Sequence, residues 1–425
     1  MTTFVRSSLC SLLGLAVAGC MTESPLDPEP ESTTGDASSG GEPIATGSDD
    51  GPDDGPSTGS DETDETDGCE TDGCEAEEGY ECLTSLAWNG ELVATANRSA
   101  VCTDFGEHEG SQGVLLAVDG LTGERTELGF GEVRQTFETL AIAPDGGLVV
   151  AGSTFIPETL SEEPLLQKYS PEGELLWTAP SDFHVADFAI RGEHIVVVSS
   201  HGMTDVTVVS DADGSIVEQI SGGEGRTQSI AVDDEGNVYV AGDITELVDG
   251  KVEGEEAFVR KYDPELQLLW EDALPPSVDG AGLVAQGLVA DESGGAIAAF
   301  RQAPEDSSGA LIVFRKYDDA GAFQWDAEFD GGDKGVVTND HVFEMKARPG
   351  GGLIAVGQTS ADGEVSAFTV AFGSDGASLW SDEQAHPGLS HEINEGLAIG
   401  AEEVVVAGCA RGEPHDLGWL LEFEP

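Results

Sequence analysis

The feature that most constrains the fold of this chain is a strand-turn-strand unit that recurs along most of its length. Its clearest copy is Ser229 to Leu274, SIAVDDEGNVYVAGDITELVDGKVEGEEAFVRKYDPELQLLWEDAL. Two runs rich in β-branched and aromatic residues, SIAV and NVYVAGD, meet at an acidic turn that contains glycine, and two further runs, AFVRKY and LQLLW, flank a second turn. Such runs between turn residues predict β-strands, so this copy predicts a four-stranded meander.

Seven copies of the unit follow one another, and their spacing indicates how they are arranged. The Lys-Tyr pair at 261–262 and Trp270 recur 55 residues later, at 316–317 and Trp325. This period is too long for a solenoid coil and fits one blade of a β-propeller, whose neighbours cover the face that a lone sheet would expose. We therefore predict an all-β chain, a seven-bladed β-propeller of four-stranded antiparallel blades. The predicted units are Cys82–Phe130, Thr139–Ala179, Asp187–Ile220, Ser229–Leu274, Gly287–Phe329, Glu344–Gln384 and Gly396–Pro425.

The last unit stops after three predicted strands, which raises the question of ring closure. Residues 79–83 could supply a fourth strand, and otherwise the seventh blade is three-stranded. Tryptophans recur on the predicted fourth strands, where packing between blades is a more common role than a ligand cage. They are Trp177, Trp270, Trp325 and Trp380.

The N-terminus has the form of an export signal. Met1 to Cys20 has one basic residue, an apolar run too short for a membrane span, and small residues before a cysteine. The sequence Val17-Ala18-Gly19-Cys20 resembles the lipobox of bacterial lipoproteins. This resemblance implies removal of residues 1–19 and lipidation of Cys20; the alternative is ordinary cleavage with an incidental cysteine. Met21 is not the aspartate of an inner-membrane retention signal, so we expect an outer-membrane or cell-surface address in a Gram-negative bacterium.

An acidic segment separates the export signal from the repeats. From Met21 to Glu78 the chain has no Lys or Arg and is rich in Asp, Glu, Ser, Thr, Gly and Pro. Such a composition buries too little apolar surface to offset its ordering entropy, so residues 20–78 are predicted to be a disordered linker before a propeller at 79–425. The run at 48–68 invites a calcium interpretation but lacks the spacing of a calcium loop. We assign no cofactor or metal site, and calcium is kept open.

The net charge of −66 restricts the partners. With 83 acidic against 17 basic residues, the chain has no basic patch that could neutralise phosphates. This disfavours nucleic acid and anionic lipid surfaces. Divalent cations, cationic polymers and simple solubility stay open, and we expect a monomer.

The cysteines fit an exported protein. Beyond Cys20, the candidates for disulfides are Cys69 with Cys74 and Cys82 with Cys102, and Cys409 leaves an odd number. Connectivity does not follow from sequence alone. Zinc is the competing interpretation for the first pair, but no second ligand pair follows at suitable spacing.

Two motif pairs carry a family resemblance. LAIAPDGGLVVAGST with LLQKYSPEGELLW, and IAVDDEGNVYVAGD with AFVRKYDPELQLLW, resemble bacterial β-propeller repeats of the SBBP and delta-60 kind. The resemblance spans roughly Cys82 to Pro425 and is weakest in the first and third units, which lack the Lys-Tyr pair and the terminal Trp. It implies a propeller in exported proteins and transfers no catalytic residues.

Aligned repeats predict which residues surround the mouth of the channel. Two positions of each repeat would gather on the face where the loops between blades meet. One lies two residues before the LAI-like core, and the other lies two residues further towards the N-terminus. We hypothesise a shallow polar site there for a cation or a sugar-like ligand; the alternative is that these residues are solvated loop ends or hydrogen-bond the inner strands. The candidate binding residues are Glu138, His184, Arg226, Gln228, Gln286, His341 and Glu395, with Ala186 and Phe343 at equivalent places.

Signs of catalysis are weak. The chain has no HExxH and no P-loop, and His386 and His391 are interpreted as loop polarity. We predict a non-catalytic cell-surface lipoprotein whose propeller binds or scaffolds an envelope protein, glycan or cation. The alternative is a propeller enzyme, either a quinoprotein-like oxidoreductase or a carbohydrate-active enzyme. A concave pocket with a nucleophile, a base and an orienting group would favour catalysis.

Overall fold

The computed structural model describes most of the repeat region. The described residues are 74–76, 83–102, 108–119, 125–132, 134–156, 159, 161–180, 185–199, 203–248, 251–275, 282–292, 294–303, 309–331, 338–361, 364–384, 390–400, 403–411 and 417–423. The predicted signal, the lipidation of Cys20 and most of the linker fall outside them and stay predictions. Among the described residues, no helix has the length and apolarity needed to cross a membrane.

The described chain is built from β-strands, grouped here as blades 1 to 7 in chain order. A short strand β1 (Cys74–Ala76) precedes them and pairs with β3. Blade 1 contains β2 (Leu83–Trp88), β3 (Leu92–Cys102), β4 (His108–Val118) and β5 (Arg125–Phe130). Blade 2 contains β6 (Gln135–Ile142), β7 (Leu148–Ile156), β8 (Ser161–Tyr169) and β9 (Leu175–Thr178). Blade 3 contains β10 (Asp187–Arg191), β11 (His194–Val198), β12 (Met203–Ser210) and β13 (Ile216–Glu224).

The remaining blades repeat the pattern. Blade 4 contains β14 (Arg226–Val232), β15 (Val238–Val248), β16 (Lys251–Tyr262) and β17 (Leu268–Leu274). Blade 5 contains β18 (Gly282–Ala290), β19 (Ala296–Ala303), β20 (Leu311–Tyr317) and β21 (Phe323–Phe329). Blade 6 contains β22 (His341–Ala347), β23 (Leu353–Ala361), β24 (Glu364–Phe372) and β25 (Ser378–Gln384). Blade 7 contains β26 (Ser390–Ile399), β27 (Val404–Arg411) and β28 (Leu417–Phe423).

Each blade is an antiparallel meander whose strands pair in sequence order. Blades 1 and 2 are also joined by one parallel bridge between Gln112 and Gln135. The turns carry the expected chemistry: in blade 4 the Asp233 carboxylate accepts hydrogen bonds from the backbone N–H of Asn237 at 2.8 Å and from its side chain at 2.8 Å. An aspartate that bonds the backbone in this way closes a tight turn between two strands.

The core is divided among the junctions between blades. Alternate residues of a strand point to opposite faces of its sheet, so each blade packs against both neighbours. In β23, Leu353 and Ala355 pack against blade 5, whereas Ile354 and Val356 pack against blade 7. Within the described residues there are seven apolar clusters, one at each junction of consecutive blades, including the junction of blade 7 with blade 1.

The seventh junction closes the ring by packing. Leu83, Leu86 and Leu92 of blade 1 form one cluster with Val405 and Ala407 of blade 7. Of residues 79–83, which were a candidate fourth strand for blade 7, the structure describes Leu83, and this residue pairs with Ala96 of its own blade. As far as the structure describes it, the last blade has three strands, which is the alternative that the sequence left open.

Lysines connect consecutive blades on the face that carries the turns. Lys168, on the third strand of blade 2, pairs with Asp145 of its own blade at 2.7 Å and with Asp211 of blade 3 at 2.6 Å. Lys261 of blade 4 reaches Asp319 of blade 5 in the same way. The recurrent Lys of the Lys-Tyr pair is therefore a buried ion-pair partner that joins two blades.

The recurrent tryptophans also join blades. In three of them the indole N–H donates to a backbone carbonyl in the last turn of the next blade. The bonds run from Trp177 to Asp211 at 3.0 Å, from Trp270 to Asp319 at 3.0 Å and from Trp325 to Ser374 at 2.9 Å. Trp380 instead stacks on Phe423 of blade 7, with ring centroids 5.0 Å apart.

Candidate functional site

The predicted binding residues share one structural position. In six blades the pairing of the innermost strand with its neighbour contains a β-bulge directly after a buried residue. A bulge leaves one residue unpaired and re-aims its side chain. We call the six bulged residues the rim residues: Thr84, Glu138, Gln228, Gln286, Phe343 and Glu395.

Gln286 and His341 are brought together across a blade junction. The Gln286 side-chain nitrogen lies 3.1 Å from Nδ1 of His341, and its oxygen accepts a hydrogen bond of 2.8 Å from the backbone N–H of Val342. Burial, and then the charge of Arg301, hold the pKa of His341 below its usual value. His341 therefore favours the neutral form, and this pair hydrogen-bonds an inner strand, as the alternative interpretation expected.

Arg226 and Gln228 meet through a buried carboxylate. Arg226 donates from Nη2 to Asp243 Oδ2 at 2.9 Å, and the Gln228 side-chain nitrogen donates to Asp243 Oδ1 at 3.1 Å. The Asp243 side chain is fully buried, whereas half of Arg226 is exposed. Both predicted residues therefore stabilise a buried charge within blade 4 and still present polar groups to solvent.

The other predicted residues lie apart from these pairs. Glu138 still reaches solvent, and the partial desolvation of its carboxylate, followed by repulsion from Glu162, raises its pKa against a hydrogen bond from Thr136. Glu395 is half-buried in β26, and Ala186 precedes β10. His184 lies outside the described residues.

A charged group inside the ring was missed by the sequence prediction. Glu344 of blade 6 pairs with Lys346 at 2.6 Å and accepts a hydrogen bond of 2.7 Å from the backbone N–H of Leu397 in blade 7. Asp187 of blade 3 likewise accepts a bond of 3.1 Å from the backbone N–H of Ile230 in blade 4. The innermost strand of a blade is a sheet edge whose N–H groups lack a strand partner, so a carboxylate from the preceding blade satisfies them.

The ionisation of this group reflects its burial. Burial raises the pKa of Asp187 to about 6, against hydrogen bonds from Ile230, Ser229 and Phe188 and attraction to Lys346 that favour the carboxylate. Burial also raises the pKa of Glu344. Burial lowers the pKa of Lys346, but the carboxylates of Glu344 and Asp187 outweigh it and raise the pKa overall. One lysine thus lies in the field of two carboxylates from different blades.

The sequence did contain a signal for this group. In the aligned repeats the position of Glu344 is taken by the other carboxylate, Asp187, in blade 3 and by small residues elsewhere, and the position of Lys346 is mostly alanine. The small residues are Ser85, Thr139, Ser229, Gly287 and Gly396. Charged residues at repeat positions that carry small residues in the other blades indicate a specialised interior of the ring.

The strand register brings two of the cysteines together. Cys74 lies directly opposite Cys102 in the ladder of β1 and β3. Cys69 and Cys82 lie outside the described residues, so the pairings of Cys69 with Cys74 and of Cys82 with Cys102 stay predictions.

No group of three or more His, Cys, Asp or Glu side chains arranged to hold a metal occurs among the residues that the structure describes. A groove on the turn face between blades 5 and 6 is lined by Lys316, Asp318, Gln324, Trp325, Ser374 and Asp375. The Asp318 carboxylate in this groove accepts hydrogen bonds from the backbone N–H of Ala320 at 3.1 Å and of Ala322 at 2.8 Å. Its role is therefore to close a turn.

Comparisons with known proteins agree with this architecture. The SBBP family, a β-propeller repeat, matches residues 217–246. Among solved structures, the Dos1 propeller superposes with a TM-score of 0.50 at 10% sequence identity, over 83% of this chain and 93% of that one. The WD40 β-propeller domain of Doa1 has a TM-score of 0.48 at 12% identity, over 82% of this chain and 95% of that one. No curated protein sequence matches the chain.

The class of protein follows from the ring and these likenesses. This is a β-propeller repeat protein, as the sequence predicted. At such low identity the structural likeness concerns the fold alone, and a fold by itself does not determine a function.

Proposed function

We propose that this chain is a surface-anchored lipoprotein whose propeller binds an envelope protein on the rim face. The observation that carries the proposal is the contrast between the rim position and its neighbours. The LAI-like core, which begins two places after each rim residue, is mostly apolar from blade to blade, with Lys346 as an exception, whereas the rim residues differ and are mostly polar. Because packing between blades does not determine which residue occupies the rim position, that residue can vary to suit a binding partner.

The chemistry of the rim suits a partner that offers positive charge and hydrogen-bond donors. Glu138 is exposed there, and Gln228 and Gln286 present amides at equivalent places. The charge of −66 attracts basic surfaces over a long range and accelerates their encounter. A basic segment of an envelope protein therefore fits better than an acidic polymer, and the proposed role is binding without catalysis.

The N-terminal sequence supports the anchor. A lipidated Cys20 followed by an acidic segment would hold the propeller away from an outer-membrane or cell surface, because like charges extend such a linker. Replacing Cys20 by serine should abolish incorporation of a labelled fatty acid and release the chain from the membrane fraction. Incorporation that persists in the Cys20→Ser chain would contradict lipidation at this residue.

The binding proposal is tested by comparing two charge-matched variants. Wild-type chain immobilised through its C-terminus would be exposed to envelope proteins and, separately, to a glycan array, each with and without calcium. Glu138→Ala with Glu395→Ala should lower capture of the bound protein at least about tenfold, since it removes rim carboxylates from a binding centre. Glu172→Ala with Glu235→Ala removes the same charge from exposed turns on the opposite face and should retain capture.

Equal capture by both double variants would show that net charge, and not the rim, recruits the partner. Retention of a glycan instead of a protein would replace the proposed class of partner.

A further inference from the structure

The segment that links blade 5 to blade 6 contains two neighbouring carboxylates. Asp330 directly follows β21, and Asp340 directly precedes β22. The Thr338 hydroxyl lies 2.6 Å from Asp330 Oδ1 and 3.3 Å from Asp340 Oδ2. A hydroxyl has one proton to donate, so it cannot satisfy both carboxylates at once. We call Asp330 and Asp340 the crossover acid pair.

The backbone holds this pair in a fixed frame. Thr338 accepts a hydrogen bond of 2.7 Å from the N–H of Ala310, and Asp340 donates one of 3.0 Å to the carbonyl of the same alanine. On the other side, Asn339 and Ser360 exchange backbone bonds of 2.9 and 3.2 Å. The segment at 338–340 is therefore fastened to blades 5 and 6 together, which keeps the two carboxylates close.

Asp340 is buried and its hydrogen bonding is incomplete. The residue has no exposed surface. Its Oδ2 accepts a bond of 3.1 Å from the N–H of Gly331, but among the residues that the structure describes its Oδ1 has no hydrogen-bond partner. A buried carboxylate oxygen without a partner is costly and calls for an explanation.

A second buried oxygen, that of the uncharged Thr359 hydroxyl, lies beside the Asp340 carboxylate. Thr359 of β23 is 4% exposed and lies next to Asp340, whose charged form it favours. Its hydroxyl oxygen nevertheless meets no partner at hydrogen-bonding geometry within the described part of the chain. Gly331 packs closely against this threonine, since a Cβ added to the glycine would lie 2.4 Å from the Thr359 hydroxyl.

No basic side chain neutralises the pair in the part of the chain that the structure describes. Arg301 donates instead to the side-chain oxygen of the neighbouring Asn339 at 2.5 Å. Within the described residues, two carboxylates and two hydroxyls thus converge at one junction without an ion-pair partner.

We propose that the crossover acid pair, with Thr338 and Thr359, binds a divalent cation of the calcium type. Ca²⁺ takes six to eight oxygen ligands in flexible geometry, and carboxylates, hydroxyls and water can supply them, whereas Mg²⁺ demands a near-ideal octahedron. The cation would occupy the space between Asp330, Asp340 Oδ1 and Thr359 Oγ1. It would fasten blade 5 to blade 6 directly beside His341, and this goes beyond the binding role proposed above and does not depend on it.

The test titrates CaCl₂ into the full chain in excess KCl, which screens diffuse attraction to the acidic linker. Calorimetry should find one saturable site with a Kd on the order of 10⁻⁴ to 10⁻³ M, as in extracellular calcium modules. Asp340→Asn and Asp330→Asn should each weaken this site at least about tenfold and abolish the rise in Tm that Ca²⁺ produces in the wild type. Mg²⁺ should bind more weakly than Ca²⁺ in the wild type.

The control is Asp326→Asn, which removes one carboxylate from the exposed part of β21 and should leave calcium binding unchanged. Asp330 is exposed, so its variant should fold even where the loss of Asp340 disturbs the blade junction. The proposal is overturned if the Asp330→Asn chain binds Ca²⁺ as the Asp326→Asn chain does, or if the wild type shows no saturable site.

Discussion

At the scale of single residues, the junctions between blades depend on matched pairs in which a tryptophan of one blade meets a glycine of the next. A Cβ on the turn glycine would lie 2.6 to 2.7 Å from the indole ring at each of the pairs Trp177–Gly214, Trp270–Gly321 and Trp325–Gly376. Blade 3 has no tryptophan on its fourth strand, and the glycine position of blade 4 is occupied by Leu266, which is 3% exposed and packs against blade 3. Leu266 adopts a φ of 58°, so the space left by the missing indole is filled at the cost of a strained backbone.

The first prediction separates packing from backbone strain at such a pair. Gly321 has a φ of 81° and lies against Trp270, whereas Gly350 has a φ of 85° and has no neighbour within 4 Å of an added Cβ. Gly350→Ala should therefore lower the free energy of unfolding by about 1 kcal/mol through the left-handed backbone alone. Gly321→Ala should lower it by about 2–4 kcal/mol, because it adds overpacking against the indole. Chemical denaturation measures both, and equal losses would refute the packing role of the pair.

The second prediction concerns Asp187. Because its pKa is about 6 in the folded chain and 3.8 ordinarily, the folded state binds more protons than the unfolded state between these values. Its contribution to stability is therefore full below about pH 4 and is lost as the pH rises through 6. Relative to Asp187→Asn, the wild type should lose up to about 3 kcal/mol of unfolding free energy between pH 4 and pH 7.

Asp213→Asn serves as the control for this pH profile. The hydroxyl and the backbone N–H of Ser215 lower the pKa of Asp213, which is exposed in a turn. Its contribution is present above its ordinary pKa of 3.8 and is lost only as the pH falls below that value, so the difference between wild type and this variant should stay flat between pH 4 and pH 7. A flat profile for Asp187→Asn would show that Asp187 ionises normally.

At the scale of strands and blades, the sequence predicted the features that recur in every blade and missed those that occur in a single blade. The period of the Lys-Tyr pair and the tryptophans predicted seven blades, and alignment of the LAI-like cores placed Glu138, Gln228, Gln286 and Glu395 at one shared position. The alignment could not reveal that this position is a β-bulge, because a bulge depends on how the strand pairs with its neighbour. Asp187 and Glu344 were missed for a related reason: the backbone N–H groups that they accept lie in the next blade, and a repeat pattern reports only what blades have in common.

The third prediction concerns the strand that precedes the first blade. β1 places Cys74 opposite Cys102, so in an oxidising compartment we predict a cross-strand disulfide between them. Proteolysis without reduction, followed by mass spectrometry, should recover a peptide that joins residue 74 to residue 102. A peptide that joins Cys69 to Cys74 would instead mean that β1 is released from blade 1 in the exported protein.

At the scale of the whole molecule, the ring closes without exchanging a strand between its ends, within the part of the chain that the structure describes. The closing junction contains the same kind of cluster as the other six, with Leu86 in the place that Leu140 takes between blades 2 and 1. Each blade then has both faces covered by neighbours, and no blade can be removed without exposing apolar surface on two others. A closed ring of this kind should unfold as one unit.

The fourth prediction tests closure by comparing these two leucines. Leu86 and Leu140 are 0% and 2% exposed and occupy equivalent places on their inner strands. If the closing junction packs as the others do, Leu86→Ala and Leu140→Ala should each lower the free energy of unfolding by about 2–4 kcal/mol, because each leaves a similar cavity. Tryptophan fluorescence and far-UV circular dichroism should report one coincident transition in both variants. A nearly silent Leu86→Ala, or an early transition confined to that variant, would mean that blades 1 and 7 separate easily and that the ring is an open stack in solution.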